Sequence, residues 1–276
     1  MKKIGEEYKK IAVIFLIWIL VVNLFALFAF NRFNLDNDAA YGWMSYGDYS
    51  LEKSWNPVAL HSRWDSLWYL DIAQNGYRFD GLERLSNVVF FPLYPLLIRS
   101  ASFFTAGDLV LAGWGISSLC LFLSLVYLFK IIKKFHPEVD PFLVIFFLLI
   151  FPTAFFLNAV YTESLFLFLT VAAFYYGMEK NFMRAGIFGM LASLTRITGI
   201  LLFIPLVWEF FRSRDFKLKN CVSPKILPLL LIPLGTLSFF LSFSITLFGS
   251  VIFSCSLMWK RRGAGRSLFR RNTFSF

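Results

Sequence analysis

Residues 11–30 of this chain carry no charge, a run as long as the roughly 20 apolar residues a helix needs to cross a bilayer. Lys2, Lys3, Lys9 and Lys10 precede it. The run is too long for the core of a signal peptide and, despite Ala26 and Ala29, has no clear small-residue cleavage site. It reads as a retained anchor with a cytoplasmic N-terminus. The remaining sequence agrees, since 58% of the 276 residues are hydrophobic, 20% are aromatic and mean hydropathy is +0.65. A soluble domain could not bury that much apolar surface. The formal charge of +10 lies in short clusters between apolar runs, as cytoplasmic flanks do, so nucleic acid is not expected as a partner. Cys120, Cys221 and Cys255 are far apart and there are two histidines, too few ligands for a disulfide framework or a zinc cluster. No metal site is expected.

Charge and parity give a topology. After the anchor comes a long acidic segment, 31–87, expected outside the cytoplasm, with Asp36, Asp38, Asp48, Glu52, Asp65, Asp71, Asp80 and Glu83 outnumbering its basic residues. Residues 88–98 are short and hold Pro92 and Pro95, which favours a bent interfacial piece. A span is expected over 109–129, closed by Lys130, Lys133 and Lys134. Residues 141–178 allow two spans joined by an outward hairpin at Asn158, Tyr161, Thr162, Glu163 and Ser164. The stretch 185–211 has basic residues at both ends, which predicts a shallow hairpin turning near Thr195, Arg196, Thr198 and Gly199. A last span, 226–248, leads outward. The fold class is thus all-α and polytopic, without internal repeats.

The segment from His61 to Tyr77 carries the chemistry. Leu67, Leu70, Ile72, Trp64, Trp68 and Tyr69 predict a short amphipathic helix stopping at Asn75-Gly76, laid on the outer membrane surface. Asp65 at its start has two readings: an N-terminal cap, since Ser62-x-x-Asp65 approximates a capping box, or a general base near a membrane-bound substrate. Tyr41, Trp43, Tyr46, Tyr49, Trp55, Trp64, Trp68, Tyr69 and Tyr77 fit either a membrane interface or sugar stacking. Arg196, isolated among apolar residues, is either a phosphate ligand or half of an ion pair to another helix. Glu163 either completes a site or marks the water boundary, and His61 and Arg63 read as solvated neighbours of Asp65.

Several blocks in order resemble a known family. Arg63-Trp64-Asp65-Ser66 with Tyr69, Ile72-Ala-Gln-Asn-Gly-Tyr77, Phe90-Phe-Pro-Leu-Tyr-Pro-Leu96, Phe151-Pro-Thr through Asn158, Tyr161-Thr-Glu-Ser164 and Thr195-Arg-x-Thr-Gly199 are similar to motifs of the mannosyltransferases that add the second mannose in GPI-anchor assembly, and of their prokaryotic relatives. The resemblance implies a superfamily C (GT-C) glycosyltransferase fold whose first outer loop binds substrate. It also implies a polyprenyl-phosphate-linked sugar donor and inversion at the anomeric carbon, and it leaves the use of a divalent metal open. Asp65 is then the catalytic base, with Arg63, Trp64, Tyr69, Glu163 and Arg196 around the substrate. The acceptor is a glycan, a lipid or a protein, and the location is a prokaryotic plasma membrane. One membrane domain is expected over 1–252.

The family continues through further spans, whereas 253–276 is basic and lacks membrane character, so a truncated or frameshifted C-terminus is expected. Two other classes stay open: a lipid or solute transporter with Arg196 and Glu163 along its pathway, and a non-catalytic membrane partner. Transporters place polar residues at the midplane of internal repeats, while here they gather in an outer loop.

Overall fold

The computed structural model describes residues 2–33, 60–62, 64–78, 86–216, 224–241 and 244, all of them helical or in connecting turns. Arg63, the aromatic residues between Tyr41 and Trp55, and the basic tail 253–276 lie outside the described residues. The helices are α1 (Lys2–Phe33), α2 (Ser66–Asn75), α3 (Leu93–Ser102), α4 (Leu109–Phe135), α5 (Pro141–Ile150), α6 (Glu163–Met178), α7 (Phe182–Ser193), α8 (Phe203–Arg212) and α9 (Ile226–Leu241). The opening turns of α9 belong to a tighter 3-10 stretch, Pro224–Leu230.

Their starts follow from local chemistry. Asp108 accepts from the Leu111 backbone N–H at 2.9 Å, Asp140 from Phe142 at 2.9 Å, and Asn181 from Arg184 at 3.2 Å. Each thereby satisfies an otherwise orphaned first-turn donor. Pro141 at the first position of α5 needs no donor partner there.

Among the described residues, two helices, α1 and α4, are long and apolar enough to cross a membrane. On α1 the side chains of Leu16, Leu20 and Phe25 are more than half exposed, which suits a helix whose outer face meets lipid. The two spans expected within 141–178 are instead assembled from shorter helices broken by a 3-10 turn, Ala154–Asn158, and the hairpin expected over 185–211 turns through another, Ile197–Leu202. Non-helical backbone at membrane depth is tolerated where it is buried in protein or lines a cavity.

Contacts fix the helix directions. Tyr8 packs on Phe129 and Phe15 on Phe122, so α1 runs opposite to α4. Ser117 approaches Tyr161 and Tyr127 approaches Tyr176, so α4 and α6 run the same way, with α5 returning between them. Phe182 meets Phe210, which makes α7 and α8 a hairpin turning at 194–202, as the charge pattern predicts. Pro228 lies against Gly186, and Ile232 against Gly189, so α9 runs alongside α7. Two apolar cores result: Ile11, Leu121, Leu125, Ile145 and Leu149 between α1, α4 and α5, and a larger one joining α2, α3, α4 and α6 to α9.

The ends of this bundle differ. Lys133 pairs with Glu7 and Lys134 with Glu179 at one end. The loops holding Asp65, Asn158, Glu163 and Arg196 gather at the other.

Candidate functional site

Helix α2 forms where the amphipathic pattern predicts it and stops at Gly76, whose φ of +83° favours glycine and whose N–H donates to Ile72 O at 2.9 Å. Its buried face, Tyr69, Leu70, Ile72 and Ala73, packs into the protein, so its apolar side is taken up by α3 and α4 rather than lipid. Tyr69 stands in an aromatic cluster with Phe90, Tyr94 and Tyr161, its ring 5.2 to 6.4 Å from theirs. Burial pushes its hydroxyl pKa up to about 12.

Asp65 precedes α2 in helical conformation, and its side chain makes no capping hydrogen bond. The residue is held through its backbone, its N–H donating to Tyr161 Oη at 3.2 Å. Trp64 beside it has a φ of +46°, left-handed backbone that costs a bulky residue about 1–3 kcal/mol, the kind of strain that clusters at functional sites. Its ring is about half exposed and tilts against Phe156, centroids 6.1 Å apart. Partial burial raises the Asp65 carboxyl above the ordinary carboxylate value, and the nearby Arg196 charge opposes that rise.

Backbone and side-chain bonds tie this loop to the two later turns. Val160 N–H donates to His61 O at 2.8 Å, and Leu93 N–H to Leu194 O at 3.2 Å. His61, expected to be solvated, stacks on Trp114 at 5.1 Å with Nδ1 2.8 Å from Asn158 O, and burial lowers its pKa below the usual value. Trp114 Nε1 in turn donates to Asn158 Oδ1 at 3.0 Å. Tyr94, fully buried, donates to Gly113 O and pairs with Ser117 Oγ at 2.7 Å.

A clamp closes the end of α2. The Asp71 carboxylate, buried, accepts from Asn75 Nδ2 and Asn87 Nδ2, each at 2.8 Å. Asn87 also donates to Gly76 O at 3.1 Å and accepts from the Arg78 backbone N–H at 2.8 Å. Both amides and both carboxylate oxygens are thus paired across 71–87, as burial of such groups requires. Sequence reasoning counted Asp71 only as loop acidity and Asn87 only as a loop boundary. The i, i+4 spacing of Asp71 and Asn75 on a helix was the available signal.

Glu163 opens α6, and Arg196 stands in extended backbone between α7 and the following 3-10 turn. Arg196 Nη1 donates to Glu163 Oε1 at 2.9 Å, and the guanidinium lies 5.9 Å from the Phe166 ring centre. The ion-pair alternative for Arg196 is therefore realised, and its partner is the other isolated charge of the set. Both residues line a cavity of about 600 Å³ walled by Phe147, Phe151, Phe156 and Phe166 among other apolar groups. Among the described residues, no group of three His, Cys, Asp or Glu side chains is placed to hold a metal ion.

Three blocks far apart in sequence thus gather at one end of the bundle: a carboxylate that makes no capping bond, an ion pair and an apolar-walled cavity. The family model described as mannosyltransferase (PIG-V) matches residues 8–208, almost three quarters of the chain and all of Asp65, Glu163 and Arg196. The chain belongs to the PIG-V mannosyltransferase family. Its membership and its apolar helices make it an integral membrane protein. It is similar to GPI mannosyltransferase 2 of Cryptococcus neoformans var. neoformans serotype D, strains JEC21 and B-3501A, 28% identical over 162 residues in each. Those alignments cover 55% of this chain and 36% of each relative, so the chain spans about a third of the length of the curated relatives it matches. No solved structure matches.

Proposed function

We propose that this PIG-V family member transfers a mannose-like sugar from a polyprenyl-phosphate donor to an acceptor hydroxyl, with inversion, using Asp65 as general base. The observation that carries the reading is that Asp65 lies close enough to Arg196 to feel its charge, while Arg196 pairs with Glu163 in the wall of the apolar cavity. The acceptor hydroxyl loses its proton to Asp65 as its oxygen attacks the anomeric carbon. The bond from that carbon to the lipid phosphate breaks, and the phosphate leaves with the electron pair.

A carboxylate raised by burial is a stronger base than a solvated one, provided it stays ionised at working pH. The Arg196 guanidinium takes the departing phosphate, a match of planar donor to anion. Trp64, half exposed beside Asp65, offers a face to a sugar ring, and Tyr69 shapes the floor beneath. Arg63, next in the chain to Trp64, belongs to the same substrate set. The cavity between α5 and α6 receives the first prenyl units.

The reading includes a single superfamily C type domain over 1–252, in a prokaryotic plasma membrane, with the Asp65 end outside. The helix directions support it, because basic flanks collect at the opposite end. The acceptor is a glycan, a lipid or a protein whose hydroxyl reaches the outer face. Membranes containing the protein, supplied with radiolabelled polyprenyl-phosphate mannose or with a nucleotide-linked mannose, test the donor class. Transfer from the lipid donor alone is expected. Transfer from the nucleotide sugar alone contradicts the reading.

A further inference from the structure

We infer that Glu163 is an internal stand-in for the donor's phosphate: its carboxylate occupies Arg196 at rest, and a lipid phosphate must displace it to enter. The inference rests on the donor reading above and assigns a role to the ion pair within it.

The pair has features of a displaceable contact. It is made by a single hydrogen bond, Nη1 to Oε1, rather than by the two-pronged fork that guanidinium and carboxylate adopt at their strongest. The second carboxylate oxygen, Glu163 Oε2, is buried without a hydrogen-bond partner, an arrangement that burial penalises. The Arg196 side chain remains 42% exposed and that of Glu163 27%, so an incoming anion can reach the guanidinium.

Location makes the contact selective. Both charges line the same cavity, whose remaining walls are uncharged and mostly apolar, with Phe147, Phe151, Phe156 and Phe166 among them and two threonines, Thr153 and Thr170. An anion with a hydrocarbon tail satisfies both parts of this surface, whereas one without a tail satisfies only the guanidinium. Before the donor arrives, Glu163 neutralises Arg196 beside the apolar walls. After it arrives, the phosphate neutralises Arg196 in place of Glu163. When the lipid phosphate leaves, the uncompensated guanidinium takes Glu163 back, which promotes product release.

The test is equilibrium binding to the purified full chain in neutral detergent, with C55 polyprenyl phosphate, C55 polyprenol and inorganic phosphate as probes. Glu163→Gln keeps the shape and an acceptor for Arg196 but removes the charge. Glu163→Ala removes the contact outright. Both variants are expected to bind polyprenyl phosphate about fivefold more tightly than the unaltered chain, the strength of one partly exposed ion pair. Arg196→Gln is expected to lose at least about tenfold, and polyprenol and inorganic phosphate to bind weakly throughout. Unchanged or weaker binding in both Glu163 variants, with Arg196→Gln still weakened, overturns the stand-in role and leaves the donor reading in place. No polyprenyl phosphate binding by the unaltered chain, or equal binding of inorganic phosphate, overturns the donor site and the stand-in together.

Discussion

Asp65 shows how far a single residue can be read. Spacing left it divided between cap and base; in the fold its carboxylate makes no capping bond and its backbone N–H donates to Tyr161 Oη. Its titration gives a signed prediction. Burial raises its pKa and the Arg196 charge lowers it, so the base loses its activity as pH falls through a value above the ordinary carboxylate range. Arg196→Gln removes the lowering influence, and the acidic limb of the kcat profile at saturating donor is expected to move to higher pH. A limb unmoved, or moved downward, would show that the two groups do not sense each other. Asp71 was not legible as more than loop charge, because its burial and its amide partner Asn87 depend on how the chain returns after α2. Asp71→Ala leaves Asn75 and Asn87 short of an acceptor and is expected to cost about 3 kcal/mol, read as a lowered midpoint of thermal unfolding in detergent.

At the scale of elements, helix α2 and the hairpin near Thr195–Gly199 were readable from amphipathic spacing and from two basic flanks around one apolar stretch. The end of α5 went unread although Pro152 signals it: a proline disfavours helix at the residue before it, and the helix ends at Ile150 with a 3-10 turn following. Hydropathy reports affinity for lipid and does not distinguish α from 3-10 backbone. The α2 surface was misread for a related reason: an apolar helix face looks the same whether lipid or α3 covers it. The turn that carries Arg196 depends on close approach, because a Cβ on Gly199 would come within 2.5 Å of the Ala192 carbonyl. Gly199→Ala must push that turn away from α7. It is expected to raise the donor KM several-fold while the fold survives, checked by unfolding and by steady-state kinetics on the same preparation. An unchanged KM would show that the Arg196 turn does not contribute to donor binding.

For the whole molecule, composition and charge made the membrane class plain, and ordered motif blocks pointed to the family that the match over residues 8–208 establishes. Neither could show that the blocks meet, because their convergence is made by long-range bonds such as His61 to Val160 and Leu93 to Leu194. The helices carry those turns to one end and the paired lysines of α4 to the other. Its central claim is that Asp65 is the base for sugar transfer from a lipid phosphate. The most direct measurement is the rate of radiolabelled mannose transfer from polyprenyl-phosphate mannose by the unaltered chain and by Asp65→Asn, in membranes holding equal amounts of each. The account predicts a loss of at least about 100-fold in kcat with donor binding retained. Equal rates in the two would contradict it.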